Sequence, residues 1–169
     1  MSTILARPIN HVAVSVGDIE AVTMWYSQVL GFQIIGNRIF HIKRSENPEA
    51  AIFAIYGEAL REVKLAYMTT GNSVGFEVFQ FLDPAFKAND VDFEYNRGGF
   101  FHICVTDPHP DALADKVVQY GGSRQGVTVK VAGGGAACVY VKDPWGNVIE
   151  ILDTSFDRMA AMNVQQLSN

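Results

Sequence analysis

Ile9-Asn10-His11-Val12-Ala13-Val14-Ser15-Val16 sets a pattern that returns at Phe100-Phe101-His102-Ile103-Cys104-Val105, and this repetition decides the fold. Successive side chains of a β-strand point to opposite faces, so alternation about a histidine is read here as strand. Val12, Val14 and Val16 make one apolar face of the first strand, while His11, Ala13 and Ser15 share the other. Phe101, Ile103 and Val105 repeat the apolar face in the second, with His102 on the side of Cys104. Both histidines therefore point away from the packed face.

A helix is predicted after each strand. Asp18 is suited to cap the first, and Ile19, Val22, Trp25, Tyr26 and Val29 recur at helical spacing until Gly31 ends it. The second starts at Asp107 or Pro108 and carries Leu113, Val117 and Tyr120 up to the Gly121-Gly122 pair. β-rich segments follow in each half: residues 38–42, 51–56 and 63–68 in the first, 127–131 and 137–141 in the second.

Each half closes on a strand with a glutamate inside it, Gly75-Phe76-Glu77-Val78-Phe79 and Asn147-Val148-Ile149-Glu150-Ile151-Leu152. From histidine to glutamate the separations are 66 and 48 residues, the first half being longer through loops at 45–49 and 58–62. Such loop growth costs little free energy. The two halves, 9–82 and 100–153, thus share one grammar of strand, helix, β-rich segments and closing strand, all within a single domain. Residues 83–99 read as a linker long enough to serve also as a binding loop or lid. The tail at 154–169 is expected to carry a short docked or frayed helix.

Composition excludes several function classes. At 169 residues and 49% hydrophobic content the chain can bury one core. Its formal charge of −5, with acids and bases interspersed, provides no basic stripe for nucleic acid. No apolar run approaches the roughly 20 residues that cross a bilayer, and no secretory signal is readable at the start, so a cytoplasmic location is the expectation. Cys104 and Cys138 are expected to be free thiols without a chemical role.

Glu77 lies between Phe76 and Val78, and Glu150 between Ile149 and Ile151, so each carboxylate projects from an apolar strand. A carboxylate in such surroundings needs a charge partner. Two imidazoles and two carboxylates suit one divalent transition ion such as Zn, Ni, Co, Mn or Fe. Any one of these residues alone reads as a hydrogen-bonded core histidine or a solvated strand-end glutamate. Their recurrence at equivalent positions in both halves favours a single metal site of His11, Glu77, His102 and Glu150. His41 and His109 have no such counterparts and are expected at the surface or lining a pocket.

With these motifs, and with Trp25-Tyr26-Ser27-Gln28-Val29-Leu30-Gly31-Phe32 and Asp143-Pro144-Trp145-Gly146, the chain resembles the vicinal oxygen chelate superfamily from Ile9 to Asp153. That superfamily includes glyoxalase I, methylmalonyl-CoA epimerase, extradiol dioxygenases and fosfomycin-resistance proteins. The resemblance implies an α+β fold of paired βαβββ modules, 9–82 and 100–153, forming a curled sheet around a metal cavity, with the same four ligands. A glutamate at position 77 matches bacterial-type glyoxalase I, where the epimerases carry glutamine and the dioxygenases use two histidines and one carboxylate. The implied activity is that of a metal-dependent lyase or isomerase moving a proton next to a carbonyl of a small substrate, with Glu77 and Glu150 as base candidates. Glu150 is assigned the firmer ligand role and Glu77 the larger share of proton transfer. Two alternatives stand beside it, an Fe(II) ring-cleaving dioxygenase and a protein that sequesters a ligand without turnover. Arg38, Arg61, Arg97 and Lys64 are the cations that could meet the carboxylates of a glutathione adduct, while Phe79, Phe81, Phe93, Tyr95, Phe100 and Tyr67 would suit an aromatic substrate. A homodimer is implied, with the four ligands drawn from one chain or from two.

Overall fold

The two repeated stretches each begin a four-stranded mixed sheet. In the computed structural model, residues 5–89 and 91–167 are described, and the chain divides into two units, 1–89 and 90–169. The first runs β1 (His11–Ser15), α1 (Ile19–Leu30), β2 (Gln33–Lys43), α2 (Ala51–Tyr56), β3 (Glu62–Thr69) and β4 (Gly75–Asp83). Its strand order is β1-β4-β3-β2, with β1 parallel to β4. The second runs β5 (Ile103–Thr106), α3 (Pro110–Gln119), β6 (Ser123–Val131), β7 (Ala136–Lys142), β8 (Val148–Leu152) and α4 (Phe156–Leu167). Its order is β5-β8-β7-β6, with β5 parallel to β8. The βαβββ grammar is thus present twice, and the fold is α+β.

The caps explain the helix limits. The Ala21 N–H donates to Asp18 Oδ1 at 2.9 Å, and Gly31 takes the left-handed φ of 74° that releases the chain. α1 then buries Ile19, Val22, Tyr26 and Val29 against the face of β3 and β4 that carries Ala66, Met68, Phe76 and Val78. Tyr26 stacks on Phe76 with ring centroids 4.8 Å apart. α3 begins at Pro110, whose missing N–H suits a first turn, and Asp107 Oδ1 accepts from the His109 N–H at 2.8 Å just before it. Ala114 and Val117 are the fully buried residues by which α3 lies on the second sheet.

Residues 51–56, expected as strand, form the helix α2. The run Ala-Ile-Phe-Ala-Ile-Tyr is too short for its period to separate strand from helix. Packing settles it: Ile52 and Phe53 are buried together with Leu60, Val63, Leu65 and Phe79, while Ile55 and Tyr56 face outward. Gly57, with φ of 79°, ends the helix as its N–H returns to the Phe53 carbonyl at 2.9 Å. The tail forms α4, which docks through Met159 and Met162 on Ala136, Cys138 and Leu152. No helix among the described residues is long and apolar enough to cross a membrane.

Candidate metal centre

In the first unit the parallel register sets Ala13 directly across from Glu77 and His11 across from Gly75. His11 and Glu77 therefore share the face opposite α1, offset by one residue pair. Gly75 leaves room for this: a Cβ built there would stand 3.1 Å from the His11 Cβ. The imidazole Nε2 lies 3.5 Å from Glu77 Oε2. Asn10 Oδ1 accepts the Nδ1 proton at 2.8 Å, which leaves the Nε2 lone pair free to face the carboxylate.

The second unit repeats the arrangement. Cys104 stands across from Glu150 on the parallel neighbour, and His102 Nε2 lies 3.2 Å from Glu150 Oε2. This pair is the more enclosed, its side chains 25% and 17% exposed against 47% and 22% for His11 and Glu77. His102 Nδ1 is buried without a hydrogen-bond partner among the described residues. Orphaned buried polar atoms are rare; this nitrogen is not the one set against Glu150, so it marks a place for a water or another polar partner and not the position of an ion shared with that carboxylate.

The donor pairs fit a cation. Two donors each ~2.1 Å from one divalent ion, at an angle of roughly 90–110°, stand ~3.0–3.4 Å apart. The observed 3.2 Å falls in this range and 3.5 Å lies just above it, longer than a good N–H···O hydrogen bond. Among the described residues no cluster of three or more His, Cys, Asp or Glu side chains suited to a metal ion forms. Each unit by itself supplies two of the four donors.

The register also places two tyrosines beside the glutamates, one of them, Tyr140, passed over in the sequence reading and the other, Tyr67, noted there only as an aromatic. Tyr67 is the cross-strand partner of Glu77, and Tyr140 is that of Glu150. Each tyrosine precedes its glutamate by ten residues, so the repeat extends beyond histidine and carboxylate. That equal offset was the available signal. The Tyr140 ring meets the His102 ring edge-on at 5.3 Å. Burial, and then the Glu150 charge, push the Tyr140 phenol up to about 12. The same two causes, in that order, push the Cys104 thiol up to about 12. Both groups stay protonated beside the carboxylate at neutral pH.

His41 is paired with Glu62, Nε2 to Oε1 2.6 Å, and His109 caps α3. Part of the linker docks in the second unit, where Lys142 Nζ lies 2.6 Å from Asp92 Oδ1 and 5.9 Å from the centroid of the Phe93 ring. Phe93 in turn meets Phe101 at 5.9 Å, and Phe101 meets His102 at 4.6 Å.

Comparison with known proteins agrees with this geometry at the level of fold. The family model described as Glyoxalase/Bleomycin resistance protein/Dioxygenase superfamily matches residues 8–151. A glyoxalase family protein from Bacillus cereus superposes with a TM-score of 0.71 at 17% identity, covering 90% of this chain and 97% of that one. The trypanothione-dependent glyoxalase I of Leishmania major gives 0.63 at 17% identity, covering 96% and 99%. A fosfomycin resistance protein from Mesorhizobium loti gives 0.58 at 14% identity, covering 93% and 99%. No curated protein matches in sequence.

Proposed function

On the premise that the chain belongs to the Glyoxalase/Bleomycin resistance protein/Dioxygenase superfamily, we propose that it is a metal-dependent lyase or isomerase of the glyoxalase I type. One observation supports the reading: each unit sets an imidazole Nε2 against a carboxylate, at 3.2 Å in the second unit, within the separation that neighbouring ligands of one divalent ion keep, and at 3.5 Å in the first, just beyond it. Two such pairs make a His-Glu-His-Glu set of His11, Glu77, His102 and Glu150, with a carboxylate available in each half to carry a proton. The ion, when bound, supplies Lewis-acid charge that stabilises the negative charge developing on a substrate carbonyl oxygen.

The chain's own residues account for the rest. Asn10 holds the His11 tautomer that presents Nε2. Cys104 and Tyr140, both protonated, flank Glu150 on its two neighbouring strands and offer it donors that hold that carboxylate in place. Glu77 is flanked instead by Ala13, which offers no donor, and by the half-exposed Tyr67. Glu77 is therefore assigned as the base that takes a proton from the carbon beside the carbonyl and returns it to the neighbouring carbon, and Glu150 as the firmer ligand. The substrate is a small carbonyl compound. The reading includes a homodimer, consistent with the exposed apolar Ile9 and Val12 at the β1 edge; sedimentation equilibrium should return twice the 18.6 kDa chain mass.

The deciding experiment is metal analysis of the purified chain followed by turnover of hemithioacetals, acyl-CoA epimers and catechols. Conversion of a hemithioacetal with solvent deuterium appearing at the carbon beside the carbonyl supports the proposal. Oxygen uptake with catechols, or a metal-free chain that binds apolar ligands without turnover, overturns it.

A further inference from the structure

The face of the first sheet that bears Glu77 continues outward through a row of contacts that ends in a cation. Glu77 on β4 pairs with Tyr67 on β3. The Tyr67 ring meets the ring of Phe40, on β2, at 5.8 Å. The Arg38 guanidinium lies over that Phe40 ring, 4.9 Å from its centroid. Arg38 is placed there by an irregularity in β2, whose pairing with β3 jumps from Ile34↔Met68 to Ile39↔Ala66. Three extra residues loop out at this point, turned by left-handed backbone at Gly36 (φ 69°) and Asn37 (φ 49°). Bulges of this kind re-aim a side chain.

The other cations weighed for substrate carboxylates are held by carboxylates of the chain or stand at another part of the first sheet. Lys64 alternates onto the α1 face and is held by Glu20, Nζ to Oε1 2.7 Å. Arg97 is held by Glu94 at 2.6 Å. Arg61 stands six residues before Tyr67, about 20 Å along the strand direction, in a surface cleft shared with Lys43, Arg44, Glu62 and Asp83. Arg38 is exposed, and among the described residues no carboxylate lies within ion-pair distance of it.

We propose that Arg38 is the specificity residue of this site, anchoring a carboxylate that the substrate carries about two strand spacings, ~10 Å, from the oxygens held beside Glu77. The inference rests on the metal-dependent reading above and adds the substrate class to it: a carbonyl compound with a distal monoanionic arm. One guanidinium matches one carboxylate through paired N–H donors, whereas a phosphate dianion would call for further cations that this face does not present. Tyr67 and Phe40 line the span between the two ends and suit an apolar connecting segment.

The test uses the full chain loaded with zinc and a bidentate probe, suberic acid monohydroxamate, whose hydroxamate chelates the ion and whose far end is a carboxylate. Its counterpart carries a carboxamide in place of that carboxylate. Wild type is expected to bind the acid roughly tenfold tighter than the amide, a preference that shrinks as salt is raised from 20 to 300 mM. R38Q should bind both equally while keeping wild-type affinity for zinc and for acetohydroxamate, and R38K should retain part of the preference. Equal binding of acid and amide by wild type overturns the role of Arg38 and leaves the metal site standing. Failure of the chain to take up zinc, or to bind either hydroxamate, overturns the metal-dependent reading itself and the inference with it.

Discussion

Replacing Glu77 with glutamine separates the two carboxylates by role. Glu77 and Glu150 occupy equivalent positions, yet their surroundings differ: Ala13 and a half-exposed Tyr67 beside the first, Cys104 and Tyr140 beside the second. Glu150 is also the closer to its histidine, at 3.2 Å against 3.5 Å. A carboxylate between two protonated neighbours is held in position by their donors, while one with a methyl on one side is freer to swing toward a substrate carbon. A positioned general base is worth about 10²–10⁴ in rate, which at 1.36 kcal/mol per decade is about 3–5 kcal/mol of transition-state stabilisation. E77Q should therefore lose two to four decades in kcat at saturating metal, with metal affinity falling less than about tenfold. E150Q should show the reverse, metal affinity falling about 10–100-fold or more and kcat at saturating metal falling less. The assay pairs steady-state turnover of a hemithioacetal with competition for metal against a fluorescent chelator. Turnover lost by E150Q with metal retained, or equal loss in both variants, refutes the assignment.

Three further outcomes follow from particular contacts. N10A removes the acceptor that fixes the His11 tautomer; metal affinity should fall about tenfold with thermal stability unchanged, measured by the same competition and by calorimetry. The Cys104 thiol, pushed up to about 12 by burial and by Glu150, should react with iodoacetamide at pH 9 about two to three orders of magnitude more slowly than in the guanidinium-unfolded chain. Because its folded value lies above the unfolded one, the stability it contributes is complete below about pH 9 and is lost as pH rises toward 12; E150Q should speed labelling only in part, since burial is the larger cause. Ile149 is fully buried in β8, and I149A should cost about 2–5 kcal/mol in urea unfolding, whereas a cost below 1 kcal/mol would show that the second unit's core does not stabilise the fold.

The parts of the site that share a strand or recur at fixed places were legible in the sequence. His11 with Ala13, and Glu77 between Phe76 and Val78, follow from period two alone, and the recurrence in the second half selected the four residues. Cross-strand neighbours were not legible, because register depends on turns and bulges that the local pattern does not encode. Tyr140 went unnoticed for this reason, and Tyr67 was read only as one of several aromatics. Asn10 carried no signal in the strand pattern, yet its amide is the group that bonds the imidazole. Arg38 could be named as a cation but not placed, since its position depends on the three-residue irregularity in β2.

The misreading of residues 51–56 follows from the same limit, and it bears on how the two halves work. Val63, Leu65 and Phe79 lie on the face that carries Tyr67 and Glu77, and α2 buries that end of it with Ile52 and Phe53. In the second unit Cys138 and Leu152 lie on the face that carries Tyr140 and Glu150, and there the cover comes from Met159 and Met162 of α4. A β-sheet face with an apolar end and a polar end needs a lid over the first and access to the second. The first half provides the lid by an excursion between β2 and β3, which accounts for much of the longer separation between its histidine and glutamate. The second half takes it from the segment after its last strand. Two unrelated helices thus cover equivalent ends of repeated sheets, and in each unit the uncovered end is the one where histidine, glutamate and tyrosine meet. A patterned repeat with different covers keeps each histidine beside its glutamate while the surrounding wall varies, so the sequence reports the proposed ligand set more plainly than the substrate.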